Sequence, residues 1–242
     1  MQGELESILK SGAVEYGLEL TGEMTDDFAR FGAMLTEKNR VVNLTAISGE
    51  SDIASLHFLD SLALLTLRCV KNADRGARFI DVGSGAGIPG LPLRIAAPQY
   101  NCTLLDSNNK RVSFTREACR ALGFDDVTSV HARAEEYART GGRDAFDFVA
   151  SRALARLNVL CELCLPLTKP GGFFAAMKGA DISDEIDGAK NAIEALGGQL
   201  AETVEYVIPH TDIRRSIVVI RKAAATPARY PRRFAKIQRE PL

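Results

Sequence analysis

A glycine-rich turn that leads from a short apolar strand into a helix constrains the fold of this chain more than any other feature. The strand is predicted over 78–82, and four glycines follow it within eight residues, at Gly83, Gly85, Gly87 and Gly90. Glycine lets the backbone turn sharply and leaves no Cβ between the chain and a ligand. The segment therefore predicts a strand–loop–helix unit that binds a ligand at the carboxyl end of its strand.

The hydrophobic pattern around this unit indicates the rest of the fold. Apolar residues recur at helical spacing through the first seventy residues, and Thr25 is a plausible N-cap for the second helix there. After the loop, strands and helices alternate, and two closely spaced final strands suit antiparallel pairing. The predicted strands are 101–106, 127–131, 146–150, 172–177, 203–208 and 215–220, and the predicted helices are 108–122, 154–167 and 183–196. This order predicts an α/β fold with a doubly wound, largely parallel sheet.

Two cofactors use a loop of this kind, and its spacing does not decide between them. Gly85-x-Gly87-x-x-Gly90 matches the dinucleotide fingerprint, with Asp106 near the position of a ribose-binding acid. Read from Asp81, the string Asp-x-Gly-x-Gly-x-Gly matches the first motif of class I methyltransferases, whose second strand also ends in an acid. The preceding helices and the two final strands favour the methyltransferase. An NAD-dependent oxidoreductase and a non-catalytic nucleotide-binding module remain alternatives.

Composition is that of an ordinary globular protein. Of the 242 residues, 46% are hydrophobic and 25% charged. No apolar run approaches the roughly 20 residues that cross a bilayer, and the acidic N-terminus does not resemble a secretory signal. Five irregularly spaced cysteines argue against a disulfide framework, and Cys161-x-x-Cys164 is predicted as a pair of buried thiols. We therefore expect a cytoplasmic protein with no membrane partner and no metal.

Positive charge is concentrated at the end of the chain. The net charge is −1, yet residues 221–242 hold seven Arg and Lys residues against Glu240 alone. Such a tail can neutralise RNA phosphates. It can also be disordered, or can cover the sheet, and charge alone does not separate these alternatives.

A series of short motifs runs from about residue 35 to the end of the sequence. The motifs, in chain order, are Asn43-Leu44-Thr45-Ala46-Ile47, His57-Phe58-Leu59-Asp60-Ser61-Leu62, the glycine loop, Leu104-Leu105-Asp106-Ser107, Ala134-Glu135-Glu136, Ser151-Arg152-Ala153, Lys178-Gly179 and Tyr230-Pro231-Arg232. Taken together, the series resembles the RsmG (GidB) family of bacterial 16S rRNA methyltransferases. Those enzymes have a class I, Rossmann-like, doubly wound seven-stranded sheet preceded by a helical region. The tail departs from the family over 233–236, where Gly and Pro are usual.

The resemblance implies three regions and one cofactor. The regions are an N-terminal helical region over 1–72, a cofactor-binding Rossmann-like domain over 73–223 and a basic tail over 224–242. The cofactor is S-adenosyl-L-methionine, with its ribose at the end of the second strand and its adenine after the third. The implied ligands are Asp81, Gly83, Gly85, Gly87, Ile88, Asp106, Ser107, Ala134, Glu135 and Arg152.

The resemblance also implies the reaction, which is transfer of a methyl group to N7 of one guanine in the decoding-region loop of 16S rRNA. The substrate is either the rRNA or the small ribosomal subunit, with no obligatory protein partner. Arg152, Asn43 and His57 are implied as positioning residues, and no general base is expected, because guanine N7 carries a free lone pair. From residue type alone, Asp60 with Ser61 also suits a helix cap, and His57 a structural role. The implied target-side residues are Asn43, His57, Asp60, Ser61, Lys178 and Arg232.

Overall fold

One sheet forms the centre of the protein in the computed structural model, which describes residues 2–42, 44–47 and 49–242. Its strand order is β3-β2-β1-β4-β5-β7-β6. Strands β1 to β5 run parallel to one another, whereas β7 is antiparallel to both β5 and β6. The predicted doubly wound, seven-stranded sheet is confirmed. The strands are β1 Arg78–Val82, β2 Asn101–Asp106, β3 Thr128–His131, β4 Phe146–Arg152, β5 Thr168–Lys178, β6 Gly198–Val207 and β7 Arg214–Lys222.

Helices cover the sheet, and a helical region precedes it. A π-helical segment over Ile53–Leu59 and a 3₁₀ turn over Ala63–Thr66 interrupt the helices before β1. π-helical turns are rare and are often found at functional sites. The α-helices are α1 Gln2–Glu15, α2 Gly22–Val42, α3 Glu50–Asp52, α4 Asp60–Leu62, α5 Arg68–Lys71, α6 Gly90–Ala96, α7 Asn109–Leu122, α8 Ala134–Thr140, α9 Leu157–Cys164, α10 Ser183–Ala195 and α11 Phe234–Arg239.

The strand order places a crevice at the centre of the sheet. From β1 the chain moves outward through β2 and β3, and it then returns to add β4 on the other side of β1. Helices that follow β1 and β4 therefore leave the sheet in different directions. Open α/β sheets bind ligands at this switch point, outside the carboxyl ends of the strands.

Two hydrophobic cores lie on the sheet. One contains the N-terminal helices, where the ring centroid of Phe58 lies 5.0 Å from that of Phe28 and 5.6 Å from that of Phe31. The same core includes Ala150 of β4 and Ala175 of β5. The second core holds residues of α8, α9, α10 and α11. The N-terminal helices thus share a core with the sheet.

Several boundaries differ from the sequence prediction. The predicted cap at Thr25 is wrong, because α2 begins at Gly22, and the Thr21 hydroxyl accepts the first-turn N–H of Met24 at 3.2 Å. Strand β5 begins at Thr168, ahead of its predicted start at Gly172. Helices α8 and α11 were not predicted.

Within the described residues, no helix is long and apolar enough to cross a membrane. Over the same residues, no group of three or more His, Cys, Asp or Glu side chains is arranged to hold a metal ion. The cysteines are free, and Cys161 and Cys164 are buried in helix α9.

Candidate active site

The glycine loop is fixed to the end of strand β2. The backbone N–H groups of Gly83 and Ser84 both donate to the carbonyl of Leu105, at 2.8 and 3.0 Å. Gly83, Gly85 and Gly87 have φ angles of 75°, 57° and 84°, which are costly for residues with a Cβ. The path of the loop therefore requires glycine at these three positions.

Asp81 and Gly90 join the loop to helix α6. The Gly90 N–H donates to Oδ2 of the buried Asp81 at 2.8 Å, and a Cβ at Gly90 would lie 2.2 Å from Leu104. Burial raises the pKa of the Asp81 carboxyl from 3.8 to about 7. Its Oδ1 has no hydrogen-bond partner in the described part of the chain. A ligand group that donates a hydrogen bond would satisfy this oxygen.

Asp106 ends β2 with its carboxylate directed at the loop. Oδ2 accepts the N–H of Gly85 at 2.9 Å, and Oδ1 accepts that of Asn108 at 2.8 Å. The guanidinium of Arg111 lies 3.7 Å from Oδ2. Since each carboxylate oxygen has two lone pairs, both oxygens retain one for the hydroxyl groups of a ligand.

A cleft opens at this edge of the sheet, between the glycine loop, the end of β2 and the start of α8. Of the predicted cofactor ligands, Asp81, Gly85, Gly87 and Ile88 lie within or beneath the loop. Leu154 and Phe234 line the cleft without having been predicted, and the only sequence signal for Phe234 was the unusual tail. The predicted ligands that line the cleft together are Gly83, Asp106, Ser107, Ala134 and Glu135.

Arg152, at the end of β4, connects the sheet to the π-helical segment. Its Nη1 donates to the carbonyl of Leu56 at 2.9 Å and to Oδ2 of Asp60 at 2.8 Å. Its Nη2 donates to Nδ1 of His57 at 2.9 Å. The guanidinium is thus held by three partners from one helical turn.

His57 is buried and uncharged. Burial and the neighbouring Arg152 charge lower the pKa of its imidazole from 6.5 to about 3. A guanidinium can only donate, so Nδ1 of His57 is the acceptor and Nε2 carries the proton. Nε2 lies 2.9 Å from the Thr45 hydroxyl, to which it donates. This arrangement suits a positioning role and leaves no free nitrogen for proton transfer.

Asp60 is a buried bridge between strands. Besides Arg152, its carboxylate accepts the hydroxyl of Tyr206 at 2.7 Å. The neighbouring Ser61 hydroxyl donates to the carbonyl of His57 at 2.5 Å. The alternative in which Asp60 and Ser61 cap a helix is wrong, because the helical backbone continues through both residues without a side-chain cap.

The remaining target-side residues are placed differently. Nζ of Lys178 lies 2.7 Å from the carbonyl of Ala155 and 2.6 Å from Glu185. Arg232 is paired with the buried Glu162. Asn43 lies outside the described residues. The structure thus joins His57, Asp60, Ser61 and Arg152 in one hydrogen-bonded group, whereas the described hydrogen bonds of Lys178 and Arg232 go to other partners.

The strand order, with its glycine loop at the switch point and its antiparallel pair beyond β5, defines a class I methyltransferase fold, a class that uses S-adenosylmethionine. TrmN from Thermus thermophilus shares it with a TM-score of 0.52 at 21% identity, over 67% of this chain and 48% of its own. A predicted O-methyltransferase from Agrobacterium tumefaciens shares it with a TM-score of 0.52 at 18% identity, over 71% and 82%.

The chain belongs to the GidB family, described as rRNA small subunit methyltransferase G, whose model matches residues 24–217. A ribosomal RNA small subunit methyltransferase G from Alkaliphilus oremlandii is 42% identical over 99% of both chains. One from Caldicellulosiruptor bescii is 46% identical over 86% of this chain and 88% of its own. The predicted family, the methyltransferase class and the cofactor S-adenosylmethionine are confirmed.

Proposed function

We propose that this methyltransferase transfers a methyl group to N7 of one guanine in the decoding-region loop of 16S rRNA. The observation that carries the proposal is the state of the polar side chains at the end of β4. His57 is neutral with both ring nitrogens engaged, and Asp60 is paired with Arg152. Neither is free to remove a proton. Guanine N7 is a hydrogen-bond acceptor that carries no proton, so methyl transfer to N7 needs no general base.

Family membership supports rRNA as the substrate. The relatives with 42% and 46% identity carry the name ribosomal RNA small subunit methyltransferase G. With rRNA as the substrate, we assign the protein to the cytoplasm, where ribosomal subunits are found. Its macromolecular partner is then 16S rRNA or the small subunit.

The chain's own residues fit the cofactor. The unpartnered Oδ1 of Asp81 suits a donor such as an ammonium group, and the free lone pairs of Asp106 suit a ribose diol. Ala134 and Glu135, at the start of α8, would flank the adenine. S-adenosylmethionine supplies a methyl group already activated by its sulfonium charge. Holding this group in line with the acceptor is then the main task of the protein, and positioning of this kind contributes about 7–11 kcal/mol in favourable cases.

The ion pair at the end of β4 suits the charge that develops in the reaction. Methylation moves positive charge from the cofactor to the purine, so an uncompensated cation beside the base would slow the transfer. Asp60 neutralises Arg152 at 2.8 Å. Arg152 can therefore orient groups through its N–H donors without adding net positive charge.

The guanine must leave its stack to reach a buried pocket, which favours a loop substrate. Contacts between exposed Lys or Arg side chains and the phosphates would hold the RNA without reading its sequence. Lys110 and Arg111 at the start of α7, and Arg233 and Lys236 in the tail, are exposed and suit this role. Region 1–72 would then face the target guanine, and region 73–223 would hold the cofactor. The tail, 224–242, would lie beside the cofactor.

The test is methyl transfer from labelled S-adenosylmethionine to an RNA fragment that contains the decoding-region loop. We expect label in the unmodified fragment, located at one guanine by mass mapping. We expect none when that guanine is replaced by 7-deazaguanine, in which a C–H group stands in place of N7. The same assay is run with intact 16S rRNA and with assembled small subunits. Equal labelling of the 7-deaza fragment would refute transfer to N7, and label confined to other RNAs would refute the substrate.

A further inference from the structure

The basic tail follows a fixed path over the protein. Arg232 forms a forked ion pair with Glu162 of α9, with Nε 2.9 Å from Oε1 and Nη2 2.6 Å from Oε2. The backbone N–H of Arg232 donates to the same carboxylate at 2.7 Å, and Glu162 is fully buried. Farther along, Ile237 packs into the core that contains α9 and α10. The disordered alternative for the tail is therefore wrong.

This path brings Phe234 to the cofactor cleft. Its side chain borders the same cleft as Gly83, Asp106 and Glu135. The ring is half-buried and packs against the neighbouring core. The guanidinium carbon of Arg133 lies 5.3 Å from the ring centroid, within the range of a cation–π contact. Arg133 and the core thus brace an aromatic ring at the edge of the cleft.

We propose that Phe234 contacts the adenine of S-adenosylmethionine, so that the tail forms one wall of the cofactor site. The inference rests on the proposed placement of the ribose at Asp106. The proposed adenine contacts are Ala134 and Glu135, and Phe234 lines the same cleft as both of them and Arg133. An aromatic side chain at such a position stacks on, or packs edge-on against, a purine. The described hydrogen bonds that Arg232 donates all go to Glu162, which makes Arg232 an anchor for the tail.

The test is calorimetric binding of two ligands related to the cofactor, measured on the full chain. S-adenosylhomocysteine contains both the adenosine and the amino acid, whereas 5′-methylthioadenosine contains only the adenosine part. Phe234→Ala should weaken both by a similar factor, about 5- to 100-fold, as expected for the loss of one base-stacking contact. Phe234→Tyr keeps the ring and should bind both within about threefold of the unmodified protein. Lys236→Ala is the matched control, because this exposed residue lies in the same helix but does not line the cleft.

Three outcomes are distinguishable. Unchanged affinity of Phe234→Ala for both ligands, with Asp106→Ala weakened, would overturn this inference and leave the proposed cofactor site intact. Unchanged affinity in Asp106→Ala as well would overturn the site itself. If Phe234→Ala binds weakly, its melting temperature without ligand must match that of Lys236→Ala. If Phe234→Ala has a lower melting temperature and Phe234→Tyr also binds weakly, the ring has a structural role only. That result would also overturn the inference.

Discussion

The hydroxyl of Tyr206 donates to Oδ1 of Asp60 at 2.7 Å, and this contact ties the edge strand β6 to the helices that precede the sheet. The other oxygen of Asp60 is held by Arg152 of β4. One carboxylate thus joins two strands to the helical turn that carries His57. Burial and the Asp60 charge both raise the pKa of Tyr206, so the phenol remains a hydrogen-bond donor.

Tyr206→Phe removes only this donor. We expect the free energy of unfolding to fall by about 1.5–3 kcal/mol, the range for a hydrogen bond to a charged group. Tyr100→Phe is a matched control, since its hydroxyl donates to the neutral carbonyl of Val70 at 2.8 Å, where a loss of about 1 kcal/mol is expected. Urea unfolding of both variants measures the difference. Equal losses would show that the charge of Asp60 adds nothing to the contact.

The low pKa of His57 predicts how stability depends on pH. The folded imidazole protonates only near pH 3, whereas the unfolded one does so near pH 6.5. Between these values the unfolded state binds the extra proton. Above about pH 6.5 this group has no effect, and stability falls as pH drops from 6.5 toward 3 by up to about 1.4 kcal/mol per unit.

His57→Gln should flatten the slope in that window, although the variant is less stable overall. The comparison is urea unfolding of the unmodified protein and of His57→Gln at several values between pH 4 and 7. His210→Asn, which replaces an exposed imidazole, serves as the control. An unchanged slope in His57→Gln would mean that the imidazole is not buried in its neutral form.

Asp106→Ala should weaken binding of S-adenosylmethionine by about 10- to 100-fold, which corresponds to about one hydrogen bond to a charged group. The loss has two sources, because Asp106 also orders the loop through Gly85 at 2.9 Å. Calorimetry gives the affinity. Thermal stabilisation by S-adenosylhomocysteine, with NADH as the comparison ligand, shows whether specificity is retained. A mutant that binds the cofactor as before would contradict the assignment of the ribose site.

Substitutions in the glycine loop should separate binding from folding. Gly85→Ala makes only an ordinary contact, 3.9 Å from the carbonyl oxygen of Gly83, but must adopt a φ of 57°, at a cost of about 1–2 kcal/mol. Gly83→Ala adds a contact of 2.9 Å with Leu154, at the cleft. We expect both to lower cofactor affinity. Gly90→Ala would place its Cβ 2.2 Å from Leu104, so it should lower the melting temperature most. Loss of affinity without loss of stability in Gly90→Ala would contradict this division.

The exposed Arg and Lys residues of the tail should contribute to RNA binding and not to cofactor binding. Replacing Arg233, Lys236 and Arg239 with alanine leaves the Arg232–Glu162 anchor in place. We expect unchanged calorimetric affinity for S-adenosylmethionine, and weaker RNA binding with a smaller salt dependence, by roughly one unit of slope per lost phosphate contact. Lys190→Ala, at an exposed position of α10, is the control. An unaltered salt slope in the triple variant would remove the tail from the RNA surface.

The glycine loop and Asp106 were predictable because their geometry is local. A strand, a turn that needs positive φ and a helix follow one another in the chain, and the acid ends the next strand. The Asp60–Tyr206 contact was not predictable, since its members are 146 positions apart and no spacing pattern links the two. The packing of the helices before the sheet against the edge strand β6 brings them together.

The tail illustrates a second limit. A count of basic residues shows charge but not its partners, and Arg232 was expected to face the substrate. Its partner, Glu162, occurs in an apolar helical stretch where a carboxylate looks unremarkable until it is found fully buried. A buried carboxylate requires a counter-charge. The structure supplies that charge from a segment 70 positions later.

The central position of strand β1 determines when the cofactor site can form as the chain folds. β1 pairs with β2, which follows it closely, and with β4, which follows only after α6, α7 and α8. Pairing between distant segments closes a long loop of chain and slows folding. The glycine loop is held by β2, but Leu154, which follows β4, forms another wall of the cleft, so the cofactor site as a whole cannot be assembled as an isolated local unit. A protein refolding from denaturant should regain cofactor binding at the rate of global folding, and no faster.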